Sequence, residues 1–361
     1  MTQSQKAGSG SQQTQILGDL VIHQGVTEER AAEIADKRAR LVLEEYSREA
    51  APKAFARIQE LDQRVVSILA NEGKLDALRE PSYQIALQKA QISAASTERE
   101  GDYDLLARLL GQRANQDSRF VRASVDRAVQ VVDMIDDAAL RGLNMMWVIS
   151  AFTPGGNSLG QGVKLLEGLL GKFPSHELPR GQRWLDHLDI IDLVRIIPGS
   201  LTTLKKFVPL YADKWPGFLS MGVEEDVAKK VHGQSTELGV AALQMVAHDL
   251  KPGYYRLRFH STNQMRNVMR EQKLPEDKIE SAVEIALSVC NLETKDDALV
   301  PKLEELVAAS DALKEIADWW DQIPDFPQPT TAGITVAYAN SRRYHQFENT
   351  TGLAEYLEQS T

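Results

Sequence analysis

Apolar residues recur every three to four positions along most of this chain, the spacing of one face of an α-helix. Ala32, Ile34, Ala35, Leu41, Leu43 and Tyr46 form one such stripe after a helix start at Thr27, whose hydroxyl suits an N-cap. Glu28 and Glu29 follow where the helix dipole favours anions. Pro52 predicts a break, a kink or a new first turn. Beyond it Phe55, Ile58, Leu61, Val65, Ile68 and Leu69 continue the spacing until Asn71-Glu72-Gly73. Further helices are expected from Pro81 (Ile85, Ala86, Ala90 and Ile92 inside), from Gly101-Asp102, from Asp117-Ser118 through Val121, Val125, Val129, Val132 and Ile135, and after Asp136-Asp137. The short links between them predict antiparallel helical hairpins.

The second half is less regular. Thr153-Pro154-Gly155-Gly156-Asn157 is a strong breaker, followed by a Gly-interrupted apolar segment ending at Pro174. Ser235 to Leu250 reads as a helix, and Lys251-Pro252-Gly253 as a boundary. Tyr254 to Phe259 alternates as a strand, with Tyr255, Leu257 and Phe259 on one face. Helical stretches follow at about 262–273, 276–290 and 299–321. Pro324, Pro327 and Pro329 read as a stiff linker. Thr330 to Tyr344 fits helix and strand alike, and a last short helix holds Leu353, Tyr356 and Leu357.

Against this helical background, residues 14–26 are extended in character. Gly18-Asp19 between Gln15-Ile16-Leu17 and Leu20-Val21-Ile22 is a two-residue hairpin signal. A lone hairpin is marginal in water, so its open edge calls for a partner strand. Gln15, Ile16, Leu17, Leu20, Val21 and Ile22 are therefore the candidate assembly edge. The expected class is mainly α: helical hairpins or a bundle, with a short N-terminal β-hairpin and a small α+β subdomain at the C-terminal end. The expected segments are a flexible tail (1–13), the hairpin (14–26), an N-terminal helical domain (27–152), a middle helical region (153–251) and the C-terminal subdomain (252–361).

Composition narrows the function without naming it. The chain has 361 residues, 43% hydrophobic and 25% charged, with a formal net charge of −10. The acidic balance argues against a broad nucleic-acid or anionic-lipid surface. The one cysteine, Cys290, cannot form an intramolecular disulfide and sits among apolar neighbours, so a buried thiol in a reducing, cytoplasmic setting is expected. No apolar run is long enough to predict a transmembrane helix.

Three clusters merit chemical scrutiny. Asp186, His187 and Asp189, with Asp192 beyond them, are the densest acid/histidine group and could hold a divalent cation or serve as acid and base. The competing reading is a solvated face opposite Leu185, Leu188, Ile191 and Val194. Arg256, Arg258, Arg266 and Arg270 lie in the one basic cluster, an alternative nucleic-acid patch whose competing reading is again a solvated surface. Trp319-Trp320 is either a docking patch or a plug beneath the Pro-rich stretch. The seven histidines lack zinc-ligand spacing, the Gly155–Lys164 stretch lacks the context of a phosphate loop, and no Gly-x-Ser-x-Gly elbow occurs. No cofactor is expected. The leading expectation is a non-enzymatic, self-associating or scaffold protein, with itself or another protein as partner.

Two segments carry a family resemblance. Gln15 to Thr27 running into Ala31-Ala32-Glu33-Ile34-Ala35, and Leu299 to Leu357, above all Thr330 to Asn340, resemble the two ends of an uncharacterised bacterial family of mainly helical cytoplasmic proteins. Pro81-Ser82-Tyr83-Gln84 is similar to it as well. The resemblance implies bacterial origin and a helical fold, suggests no more than a defence or stress role, and transfers no site residue. The middle, from Thr153 to about Gly253, falls outside it.

Overall fold

The computed structural model describes residues 28–173, 177–197 and 204–343, together with Leu353 and Leu357. The tail and the hairpin expected at 14–26 lie outside the described residues. The chain divides into two units, Met1–Ala56 and Arg57–Thr361.

Helix α1 runs over Glu28–Asn71 without ending at Pro52. Proline removes one backbone hydrogen bond, and on an exposed stretch water can take the freed carbonyl. In the first unit nearly all the described side chains of the helix are exposed, Leu41, Tyr46 and Phe55 among them at 56%, 66% and 62% accessible. Ion pairs one turn apart, Arg40–Asp36 at 3.1 Å and Arg48–Glu44 at 4.0 Å, lie along it.

In the second unit a larger hydrophobic cluster gathers residues from Leu61 to Leu219 and from Leu299 to Leu357, so each of the three expected segments contributes to it. Helices α2 (Pro81–Ser96), α3 (Glu100–Ala114) and α4 (Arg119–Val129) pack on one another in succession, and α5 (Asp137–Ala151) follows without forming a hairpin with α4. Pro81 opens α2 as expected, but its buried stripe is Tyr83, Ala86, Ala90 and Ala94, while Ile85 and Ile92 face outward. The small residues permit close packing on α3 and α4. Helix α4 stops at Val129, and Val132 and Ile135 lie in the tight link to α5, whose cap Asp136 accepts from the amides of Ala138 and Ala139.

Helices α6 (Leu159–Leu170), α7 (Arg183–Ile190) and α8 (Phe207–Lys214) follow, with strand β1 (Val194–Ile197) between the last two. After β2 (Val223–Glu224), helix α9 (Glu225–Leu238) ends at Gly239, whose φ of +65° makes a left-handed cap. The helix expected over 235–250 therefore stops early, and Met245–Ala247 is strand β3. Strand β4 (Tyr254–Leu257) is the expected one, the centre of an antiparallel sheet ordered β2-β4-β3. With α9, α10 (Thr262–Glu271) and α11 (Glu276–Ser288), this sheet encloses a second, smaller cluster between Val231 and Leu292. Cys290 is buried in that cluster, and burial pushes its thiol up to about 12.

Helices α12 (Val300–Ala308) and α13 (Asp311–Asp321) return to the larger cluster. The expected proline linker is in fact strand β5 (Phe326–Pro329), antiparallel to β1 with Ile196 opposite Pro327. A two-stranded ribbon has two open edges, where the missing proline N–H is tolerated. The ambiguous stretch is helix α14 (Thr331–Ser341), capped by the Thr330 hydroxyl, which accepts from the Gly333 amide at 3.1 Å. It packs on α3, α4 and α5 and is buried along nearly its whole length, which is why it shows no amphipathic stripe. Trp319 and Trp320 are buried, donating to the Pro179 and Lys205 carbonyls at 2.7 and 2.8 Å, as a plug would.

Candidate functional site

The assembly edge, Gln15, Ile16, Leu17, Leu20, Val21 and Ile22, lies outside the described residues. The acid/histidine group is placed on α7 and beyond. Asp186 and Asp189 are exposed, and Asp186 accepts from Gln182 at 3.2 Å. His187 turns away from them: its Nε2 lies 3.1 Å from the Asp136 amide and 3.1 Å from the Met134 carbonyl, tying α7 to the start of α5. Asp192 lies past the helix end with a positive φ of 62°. Among the described residues, no three His, Cys, Asp or Glu side chains converge to hold a metal ion.

The basic cluster separates into different roles. Arg256 is 1% exposed. Its guanidinium meets Asp249 at 2.6 Å, donates to the carbonyls of Leu257 and Asn157 at 2.8 and 2.7 Å, and lies over the Phe218 ring. Asp249 in turn accepts from the Leu159 amide at 3.2 Å, so this pair of a buried guanidinium and a more exposed carboxylate fastens the 153–158 loop to β4. Arg266 forms a two-point pair with Glu280, and Arg270 pairs with Glu276 at 2.7 Å. Arg258 is exposed. The four arginines do not form one basic face.

Nearby, Lys214 ends α8 by donating to the carbonyls of Ile149, Ser150 and Phe152 at 2.6, 2.7 and 3.1 Å, the exposed C-terminal carbonyls of α5. Burial lowers its ammonium to about 7, while the three carbonyls favour the charged form. It is a helix clamp, already engaged on all three donors.

A cavity of about 260 Å³ lies between α5 and α14. Asp137, Leu140, Arg141 and Asn144 line it from α5, Asn340 and Arg343 from the end of α14, and Phe173, Glu177 and Leu178 from the segment after α6. Asn144 is 2% exposed, and its Oδ1 is buried without a hydrogen-bond partner. Asn340 is also buried, and its Oδ1 accepts from Arg343 at 3.2 Å. Arg141 pairs with Glu177 at 3.5 Å. Asp137 receives the Arg99 guanidinium at 2.6 Å, which also holds Asp102 at 2.9 Å. Gly101 makes room at the edge, since a Cβ there would stand 3.0 Å from an Arg343 nitrogen.

Asn144, Asn340 and Arg343 belong to none of the sequence motifs above. The available signal was Asn144 itself, a carboxamide inside the apolar run Leu143-Asn144-Met145-Met146-Trp147. A polar side chain within a buried stretch is more informative than an exposed apolar one.

No curated protein and no solved structure matches the chain. A family model, described only as a "-like" family, matches residues 25–351. The resemblance first placed at the two ends thus extends through the middle region as well. Nearly the whole chain is matched, so the protein belongs to this uncharacterised "-like" family.

Proposed function

We propose that the protein works by association, principally with further copies of itself, as a scaffold rather than as a catalyst. The observation that carries this reading is the outer face of α2. Gln84, Ile85, Gln88, Ile92 and Ser96 are all exposed, with Ile85 and Ile92 at 57% and 63%. In a chain that is 25% charged, this helix of 16 residues has one charged side chain, Lys89. Two isoleucines seven positions apart share a helix face and present apolar area that a monomer gains by covering. Glutamine both donates and accepts, so two such faces can meet without burying a charge, as a two-fold contact between copies requires. The extended edge at 15–22 is the second element of the proposal, supported by its hairpin pattern. The buried Cys290 suits a reducing compartment.

Light scattering on the full chain tests the reading. A mass above the monomer that falls to the monomer in Ile85→Glu/Ile92→Glu is the expected result. Deletion of residues 1–26 separates the contribution of the N-terminal edge. A full-length chain that is monomeric at high concentration would sink the proposal.

A further inference from the structure

We propose that residues 221–294 form an inserted module that undocks from the rest of the second unit on acidification, with His248 and His260 as the triggers. The buried residues of the larger cluster stop at Leu219 and resume at Leu299, and the smaller cluster lies between them. Exit and return run side by side. Ser220 and Lys295 form an antiparallel bridge, the Met221 amide donates to the Thr294 carbonyl at 3.2 Å, and the Asp296 amide donates to the Leu219 carbonyl at 2.7 Å. Two adjoining crossings at the ends of a packed body are the arrangement of a hinge. The elements between them, from β2 to α11, pack chiefly on one another.

The contacts that hold the module down are largely polar. Arg256 and Asp249 both belong to it and both reach out of it. Arg256 donates to the Asn157 carbonyl and lies over the Phe218 ring, and Asp249 accepts from the Leu159 amide at the head of α6. The Gly217 amide donates to the His260 carbonyl at 2.8 Å, and the His260 ring stands edge-on to Phe218. His248 sits at the hinge. Its Nε2 donates to the Ser220 carbonyl, and its Nδ1 accepts from the Leu250 amide, which folds the turn that aims Asp249.

Both imidazoles are placed so that a second proton finds no acceptor. On His248 it would turn Nδ1 into a donor facing the Leu250 N–H, so the turn must open. The imidazolium would also face Arg256 and Lys251, with Asp249 as the opposing charge. His260 Nδ1 is buried without a partner, the ring being bonded to the Lys214 backbone. Glu293, the carboxylate facing it, is already engaged by the Thr262 amide and hydroxyl at 2.9 and 2.6 Å. Water reaches both rings once the seam parts, so the undocked state takes up these protons more readily. Docking is therefore favoured above about pH 6.5 and weakens as pH falls below it. Each cluster stays whole in the process. This inference stands on the hinge and the seam and is independent of the association proposed above.

Amide hydrogen exchange of the full chain at about pH 7.5 and about pH 5, expressed as protection factors, tests it. The Leu159 and Gly217 amides, bonded across the seam, should lose protection at the lower pH by about tenfold or more, the effect of losing one hydrogen bond to a charged group. The amides of β4 and α9 inside the module, and those of Met221 and Asp296 at the hinge, should keep theirs. His248→Gln, whose carboxamide can repeat both hydrogen bonds but takes no proton, should remove most of the effect at Leu159. The pair His248→Gln/His260→Gln should remove it at Gly217 as well. Unchanged protection at Leu159 and Gly217, an equal loss inside β4, or a pH effect that survives in the paired variant overturns the assignment. The parent protein alone decides the first two outcomes.

Discussion

Helix α1 places two sets of apolar residues in opposite surroundings. Leu41, Tyr46 and Phe55, in the first unit, are more than half exposed. Leu61, Val65 and Leu69, in the second, are 0%, 1% and 0% exposed. Both sets lie in one uninterrupted helix. Leu61, Val65 and Leu69 recur about one turn apart on a single face, whereas Leu41, Tyr46 and Phe55 point in different directions around it. The difference comes from what else packs there: the later turns meet elements that follow far along the chain, and the earlier turns are held by local propensity and surface ion pairs. Exposed and buried positions of the same type should consequently respond very differently to change.

The largest contrast is expected where backbone meets backbone. A Cβ on Gly333 would run into the Leu193 carbonyl, which also accepts from the Thr330 amide at 3.0 Å. Gly333→Ala should lose more than about 3 kcal/mol of stability or fail to fold, whereas Gly233→Ala, with open space around it, should be neutral or slightly stabilising, as helix propensity favours alanine by about 1 kcal/mol. Urea unfolding measures both. Within α1 the pair to compare is Leu69→Ala and Leu41→Ala. The first should lose about 3 kcal/mol, the second no more than about 0.5 kcal/mol. Equal losses would break the distinction between the two parts of the helix.

Asp249→Asn asks whether the buried Arg256 behaves as part of the core. It should cost about 2 kcal/mol and loosen the 153–158 loop, while Glu276→Gln, opposite the exposed Arg270, should cost less than about 1 kcal/mol. Amide exchange in the loop reads the local effect.

A smaller, pH-dependent loss should come from the buried imidazoles. His248 donates to the Ser220 carbonyl at 2.9 Å and accepts from the Leu250 amide at 3.1 Å, so it is neutral in the folded state. Burial lowers it below its ordinary 6.5, and the nearby Arg256 and Lys251 act in the same direction against the Ser220 hydrogen bond and Asp249. His260 is lowered by burial too, against its bond to the Lys214 backbone and the charge of Glu293. Because the unfolded chain takes up these protons more readily, the stability they support is present above about pH 6.5 and is lost as pH falls below it. Thermal melts between pH 5 and 8 should show that loss diminished in His248→Gln. Smallest of all, Asp186→Asn and Asp189→Asn should change stability by less than about 0.5 kcal/mol, as exposed positions on a solvated face do.

Much of the architecture was legible along the chain because its signals are local. Pro81 at a first helical turn, Asp136-Asp137 ahead of a helix, the alternation of Tyr254 to Leu257 and the apolar neighbourhood of Cys290 each act within a few residues. Where the local signal was incomplete, distant partners decided. The prolines at 327 and 329 imply a linker until β1 supplies a strand to pair with, more than a hundred residues earlier. Thr331 to Ser341 has no stripe to read because three helices bury it from several sides. Ser235 to Leu250 had enough apolar residues for one helix, and Gly239 divided it by taking a left-handed conformation.

The sites divide in the same way. The sequence by itself determined a mainly helical, acidic chain with a lone apolar-flanked cysteine and no zinc or phosphate-loop pattern, since composition and spacing are properties of the chain. Only the tertiary structure decided that Arg256 is a buried clasp rather than a surface cation, that His187 binds backbone instead of joining Asp186 and Asp189, and that Asn144, Asn340 and Arg343 come together around one cavity. A side chain's chemistry depends on its solvation and on the charges within a few ångströms. Those neighbours are brought together by packing, across separations of up to two hundred residues that no local pattern encodes.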